Sequence, residues 1–161
     1  MKNTQRHKYK DKEICETRTL TFDPYPYSEI DQVIRLIQDN LTSDLLKGRK
    51  SLMYPSDVLT NKYYGHCYHS SQALHYLMDC DILIPMSGED YRGEKHWWLQ
   101  DGQKIYDCTA KQYLDKGEHP PYNTGKKTNW YGWKQRPQQI SLTLMKRVLD
   151  DRLISDIVTK P

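Results

Sequence analysis

The stretch KHWWLQDGQKIYDCTA (Lys95 to Ala110) constrains the fold more than any other part of the chain. Two short aromatic segments flank an Asp-Gly pair, and Asp-Gly between strand-like segments is the strongest local signal for a tight β-hairpin. With Asp101 and Gly102 as the turn residues, Gln100 faces Gln103 and His96 faces Asp107. Directly opposed residues hold their Cβ atoms about 4.5–5.5 Å apart, close enough for a carboxylate to accept a hydrogen bond from an imidazole. Trp98 and Ile105 share that face, while Trp97, Leu99 and Tyr106 take the other. A one-residue slip of the register would reverse every side chain, so the expectation depends on the turn.

A second stretch, YYGHCYHSSQALHYLM (Tyr63 to Met78), sets a cysteine between two histidines, just after a glycine. Ala73, Leu74, Leu77 and Met78 fall at helical spacing, with Tyr76 nearby, so the spacing predicts a helix that begins close to Cys67. A thiolate is the nucleophilic form of cysteine, and a neighbouring imidazolium or a helix N-terminus favours it. Free N–H groups of the first helical turn also offer themselves to an oxyanion formed when sulfur attacks a carbonyl. The chain therefore supplies a nucleophile at a helix start (Cys67), a base on a strand (His96) and a carboxylate opposite that base (Asp107), the constellation that nucleophilic catalysis needs.

The chain order Cys, His, Asp, with HWWL…YDCTA, resembles the core of the transglutaminase-like group of papain-type thiol enzymes. The wider pattern GHCYHSSQALHYL, HWWLQDGQKIYDCTA and a basic run before a last helix also resembles small uncharacterised bacterial and bacteriophage proteins. The resemblance covers Gly65 to Ala110 and extends in weaker form towards Leu149. It implies an α+β fold with a papain/transglutaminase-like core, in which a cysteine-bearing helix packs on a small antiparallel sheet. It also implies Cys67 as nucleophile, His96 as general base and acid, and Asp107 as the group that orients His96. Three features depart from it: Cys108 stands where the family often has proline in D-P-T, His66 and His69 flank the cysteine, and no oxyanion side chain is evident upstream. Asn61, six residues before Cys67, is the candidate donor.

The chain of 161 residues reads as one domain preceded by an arm. Residues Met1 to Glu16 form a charged, basic arm without an apolar stretch, so neither a signal peptide nor a lipid anchor is expected; residues 17–161 form a single α+β domain. TRTLTF (Thr17 to Phe22) suggests a short strand. Ser28 offers a cap to an amphipathic helix with Ile30, Val33, Ile34, Ile37 and Leu41 on one face. The segment around Gly48 and Pro55 reads as helical turns and loop, and DILIPM (Asp81 to Met86) as a buried strand ended by Pro85, followed by a loop SGEDYRGE. A long irregular stretch leads from Leu114 to a final helix capped by Ser141, with Leu142, Met145, Leu149 and Leu153 on one face. Mean hydropathy is −0.91, and the aromatic share rests on thirteen tyrosines against one phenylalanine. Tyrosine buries its ring but needs a partner for its hydroxyl, so the core should be edged with hydrogen bonds.

No apolar run approaches the length of a membrane helix, and the four cysteines (Cys15, Cys67, Cys80, Cys108) contain no C-x-x-C pair. The expectation is a cytoplasmic protein with reduced thiols, in the host cytoplasm if the source is viral. The formal charge of +3 permits an anionic partner without demanding one. His66, Cys67, His69, His75, Cys80 and Cys108 are of zinc-ligating types but lack a recognised paired spacing, so no metal and no cofactor is expected. GKKTNWYGWKQR interleaves Lys126, Lys127, Lys134 and Arg136 with Trp130, Tyr131 and Trp133. It reads as a loop anchored by its tryptophans, as a lid on a substrate cleft, or as an anionic-ligand surface on which bases stack. Asn61, Trp98, Trp130 and Trp133 are the candidate substrate-binding residues. The favoured function is thiol-dependent acyl transfer on an amide-containing peptide or small molecule: peptidase, amidase, deamidase or transamidase. The alternative is a non-catalytic binding module that captures a nucleotide, nucleic acid or host protein through the aromatic-basic loop.

Overall fold

The computed structural model describes residues 22–47, 54–131 and 137–159. The basic arm and nearly all of the strand expected at Thr17 to Phe22 lie outside the described residues, as do Trp133, Lys134 and Arg136. The elements run α1 (Ile30–Asp39), α2 (Pro55–Thr60), α3 (Cys67–Met78), β1 (Ile84–Glu89), β2 (Lys95–Asp101), β3 (Lys104–Tyr106), α4 (Lys111–Leu114), β4 (Lys126–Lys127) and α5 (Gln139–Thr159). Short 3-10 turns precede α1 (Tyr27–Glu29), follow it (Ser43–Leu46) and precede β4 (Tyr122–Thr124). The fold is α+β, with one four-stranded antiparallel sheet in the order β3-β2-β1-β4.

Helix α3 is the centre of the molecule. It packs against α1, α5 and β2, and every residue from Tyr68 to Met78 is buried. A helix buried on all sides must satisfy its polar residues internally. Ser71 donates from Oγ to the Trp97 carbonyl at 3.2 Å, and Gln72 Oε1 accepts from the Gln138 backbone N–H at 3.0 Å and from Ser141 Oγ at 2.7 Å. These bonds fix α3 to β2 on one side and to the head of α5 on the other. His75 is also buried; burial pushes its pKa down to about 4, against a hydrogen bond to the Leu83 carbonyl that favours the charged form. One apolar cluster runs from Tyr25 to Val148 and includes Trp97, Leu99 and Tyr106.

The helix starts correct the sequence reading. Ser28 lies inside the 3-10 turn and makes no side-chain cap to α1, whose first helical residue is Ile30. Ser141 is likewise inside α5, its hydroxyl spent on Gln72. On the face expected for α1, Ile30, Val33, Ile37 and Leu41 are buried and Ile34 is half-buried; on that expected for α5, Leu142 and Met145 are buried and Leu149 is half-buried, the side chain of Leu153 lies outside the described residues, and Leu144 and Val148, not assigned to that face, are buried too. Pro55 opens a helix instead of breaking one, at the first position, where a missing N–H is tolerated. Strand β1 does not stop at Pro85 but runs through Ser87 and Gly88, which the sequence suggests as loop. Pro85 carries no donor, and the short β4 pairs only with Met86 and Ser87; one residue on, the Pro85 carbonyl accepts from the Thr128 N–H at 3.0 Å but Pro85 returns no bond, so the proline sits where that ladder ends.

The hairpin also departs from the expected register. Asp101 pairs with Lys104, Gln100 with Ile105 and Leu99 with Tyr106, so the turn residues are Gly102 and Gln103, with Gly102 at a φ of 58°. Moving the turn along by one residue moves every cross-strand partner by two, and a shift of two preserves the face. Trp97, Leu99 and Tyr106 therefore face α3 and the core. His96 and Trp98 face the segment 107–125, which folds over them: Tyr113 lies edge-on to His96 at 4.9 Å and Tyr122 edge-on to Trp98 at 5.1 Å.

Gly125 closes this second layer. A Cβ there would lie 2.3 Å from Trp98 Cζ2, a clash with a fully buried ring. Gly125→Ala is expected to destabilise the protein by about 1–3 kcal/mol, the usual cost of overpacking, read as a lower urea midpoint. An unchanged midpoint would show that Trp98 is not held as described.

Candidate active site

Cys67 is the first residue of α3, at the end of a turn in which Gly65 adopts a φ of 86°. That position leaves its backbone N–H without an acceptor in its own helix. The side chain is half-buried, lines a cavity of about 430 Å³ and has its sulfur 3.8 Å from the Lys95 carbonyl. Lys95 is the residue before His96 on β2, so this contact seats the helix head against the strand that carries the imidazole. Cys67 is close enough to the His96 ring to favour its charged form.

His96 and Asp107 form the buried pair beside that sulfur. Their side chains are 0% and 3% exposed, and His96 Nε2 donates to Asp107 Oδ2 at 2.6 Å. Asp107 sits one residue beyond the last pair of the β2–β3 ladder; extended, that register sets it opposite Trp98 and diagonal to His96 on the same face. The carboxylate is fully used. Oδ2 also accepts from the Tyr122 hydroxyl at 2.7 Å, while Oδ1 accepts from the Thr109 N–H at 3.0 Å and the Thr109 hydroxyl at 3.4 Å. Four donors on two oxygens occupy the lone-pair directions of a carboxylate. Burial by itself would push His96 down; the Asp107 charge and hydrogen bond, with Cys67, outweigh it and lift the ring to about 10. Trp98 stacks on the far face of the ring at 5.8 Å and 27°.

Of the residues the sequence brings forward, the fold pairs His96 with Asp107 and seats Cys67 against the residue before His96. Other residues of the site carry no signal of that kind. Gln112, on α4, is 6% exposed and lines the cavity with Cys67; its Nε2 lies 3.1 Å from Thr109 Oγ1 and 3.5 Å from His96 Nδ1. Tyr122 lies in the stretch that reads as irregular; burial first, then the Asp107 charge, holds its hydroxyl well above the usual tyrosine range. Thr109 is the exception, since aspartate followed two residues later by threonine is the signature of a turn closed on the carboxylate. Any residue fits between them, and Cys108 does: its thiol is buried against α3, 4.0 Å from the Ser70 carbonyl, and burial pushes its pKa up.

The remaining candidates fall elsewhere. Asn61 does not line the cavity; Nδ2 donates to the Gln112 carbonyl at 3.3 Å and Oδ1 accepts from the Tyr63 N–H at 3.0 Å, so it ties the turn before α3 to α4. Trp98 is behind His96, and Trp97 is the tryptophan on the cavity wall. Trp130 is buried and stacked on Trp97 at 5.6 Å and 17°, which makes it an anchor of its loop. Tyr131, 52% exposed, stacks on Tyr68 and reaches the cavity. Lys126 and Lys127 are exposed on the edge strand β4. His66 and His69 turn to each other across 2.9 Å, and among the described residues no group of three His, Cys, Asp or Glu side chains is arranged to hold a metal. No described helix is long and apolar enough to cross a membrane.

Comparison with known proteins finds no matching family model, no matching curated protein and no matching solved structure.

The raised pKa of His96 has a defined effect on stability. A free imidazole titrates near 6.5, so the contribution from the folded ring is complete below about pH 6.5 and fades as pH rises through about 10. Urea unfolding of wild type and His96→Gln between pH 6 and pH 10.5 should show the stability difference shrinking with pH, at up to about 1.4 kcal/mol per unit for one proton. A difference independent of pH would contradict the charged ring.

Proposed function

We propose that the chain is a thiol-dependent acyl-transfer enzyme of the transglutaminase-like, papain-type group. Cys67 is the nucleophile, His96 the general acid and base, and Asp107 the group that orients His96. The observation that carries this reading is the buried His96–Asp107 pair, 2.6 Å apart, set beside a half-buried cysteine at the head of a helix that opens on a cavity. The cysteine-headed helix packed on an antiparallel sheet, with histidine on one strand and aspartate past the end of the next, supports the family reading as well.

The chemistry follows from the geometry. His96 Nε2 is committed to Asp107, so Nδ1 is the nitrogen that serves the sulfur. In the charged ring the proton of Cys67 already rests on Nδ1, and the thiolate adds to an amide carbonyl to give a tetrahedral oxyanion. Collapse breaks the C–N bond as the imidazolium gives its proton to the leaving amine, which departs and leaves a thioester on Cys67. The neutral ring then takes a proton from water or from an acceptor amine, whose attack on the thioester releases acid or new amide and returns the thiolate beside the charged ring. Asp107 keeps its hydrogen bond to Nε2 throughout, and it stabilises the ring whenever that ring is charged.

The substrate is an amide, in a peptide or a small molecule, and the entering nucleophile decides between hydrolysis and transfer. Aromatic walls from Tyr68, Trp97 and Tyr131 give the cavity an apolar side for the acyl group. A free thiol nucleophile suits a reducing compartment, the cytoplasm.

Iodoacetamide near neutral pH should alkylate Cys67 ahead of the other three cysteines, located by peptide mass spectrometry. His96→Ala should slow that labelling, and Asp107→Asn should lower turnover of an acyl substrate about 10²–10⁴-fold, the usual weight of a positioned acid-base system. Labelling spread evenly over all four cysteines, or absent, would overturn the reading.

A further inference from the structure

We infer that Lys95 selects the substrate, favouring an amide whose acyl part carries a carboxylate; this rests on the acyl-transfer reading above. Among the described residues, Lys95 is the one lysine or arginine on the cavity wall, and Glu94 the one carboxylate. Glu94 is already answered: one oxygen accepts from the Tyr64 hydroxyl at 2.7 Å, and the other lies 3.6 Å from the Arg92 guanidinium. His69, also on the wall, turns its ring to His66. Lys95 differs. It is exposed, and among the described residues no carboxylate lies within ion-pair distance of its ammonium.

Alternation along β2 puts the Lys95 side chain on the face of Trp97. Its Nζ lies 5.7 Å from the centre of the Trp97 ring and 5.8 Å from that of Tyr131. Glu89 stands opposite Lys95 in the β1–β2 ladder, yet the ammonium rests on the two rings and makes no ion pair with it. Aromatic faces attract a cation through their quadrupole but bring no counter-charge, so the positive charge remains to meet an anion. Tyr68 stacks on Tyr131 at 4.9 Å and meets Trp97 edge-on at 4.7 Å, which makes the three rings one wall beneath the ammonium. A ligand that lays carbon on those rings and ends in a carboxylate matches both features. The same residue also meets the sulfur, through its carbonyl 3.8 Å from Cys67 Sγ. An acyl group bonded to Cys67 therefore begins at the backbone of Lys95, within reach of the charge at the end of its side chain.

Alkylation reads this preference without the natural substrate. Iodoacetate and iodoacetamide each form a carbon–sulfur bond to Cys67 as iodide leaves, and they differ by one negative charge. N-iodoacetylglycine and N-iodoacetylglycinamide repeat the contrast farther from the sulfur. The quantity read is the anion-to-neutral rate ratio at Cys67, divided by the same ratio for N-acetylcysteinamide, so that changes in the sulfur itself cancel. Lys95→Met keeps the stem and removes the charge; it should lower the ratio about 3–10-fold in at least one pair, the order expected for one charge roughly 6–8 Å away near a protein surface. Lys95→Arg should retain the ratio. Lys104→Met, the same change at an exposed position of β3 that does not line the cavity, should leave it as in wild type. Labelling that stays selective for Cys67 reports a folded variant; should Lys95→Met lose it, Lys95→Gln carries the comparison. A ratio unmoved by loss of the Lys95 charge, or lowered equally by Lys104→Met, overturns the acidic-substrate inference alone. Loss of selective Cys67 alkylation in wild type overturns the thiol-enzyme reading, and this inference with it.

Discussion

The ion pair between His96 and Asp107 is the interaction on which the rest of the site depends. A carboxylate and an imidazolium taken out of water are costly to bury unless geometry and further hydrogen bonds compensate. Here the carboxylate accepts from His96, from Tyr122 and twice from Thr109. The donors come from three pieces of local structure (β2, the turn after Asp107 and the 3-10 turn at Tyr122), so the pair organises the segment after β3 as much as it is organised by it. The turn at Asp107–Thr109 and the 3-10 turn at Tyr122 both end on this carboxylate. Gly125 then lets the chain pass over Trp98, which backs the imidazole. The result is a second layer on the face of the sheet turned away from α3.

The opposite face explains where the sulfur comes from. Helix α3 is held to β2 through Ser71 and Trp97, and its first residue meets the strand at the Lys95 carbonyl. The same strand thus presents Trp97 to the core and His96 to the second layer, with the helix head at its start. Burial on all sides gives α3 little freedom to shift, because Gln72 is fixed in turn by the entry to α5. Tyr113 joins the two halves: its ring packs on the edge of His96 and its hydroxyl donates to Asp90 at 2.9 Å. Asp90 also accepts from the backbone of Arg92 and Glu94, which shapes the turn forming one wall of the cavity.

What the sequence makes legible is periodicity and parity. Alternation along Lys95 to Tyr106 assigns His96 and Trp97 to opposite faces, and that assignment survives a displaced turn because the displacement moves partners by an even number. Helical spacing finds α1, α3 and α5 for the same reason. Caps are less legible: Ser28 and Ser141 look like helix starts, yet one sits in a 3-10 turn and the other is drawn inward by Gln72. Strand β4 has only two residues, too few for any period, and its absence from the pattern makes Pro85 look like a terminator. Gln112, Tyr113 and Tyr122 are invisible for a different reason. Their roles arise from where an irregular segment crosses the sheet, and no local spacing encodes that path.

The central claim is that His96, buried and paired to Asp107, carries a proton on each ring nitrogen beside the Cys67 sulfur. Imidazole nitrogen NMR on protein labelled with ¹⁵N-histidine tests it most directly. The account predicts that His96 shows two protonated nitrogens through neutral pH and titrates at about 10, and that Cys67→Ala and Asp107→Asn each lower that midpoint. A His96 ring that loses its proton near 6.5, or one indifferent to both substitutions, would contradict it.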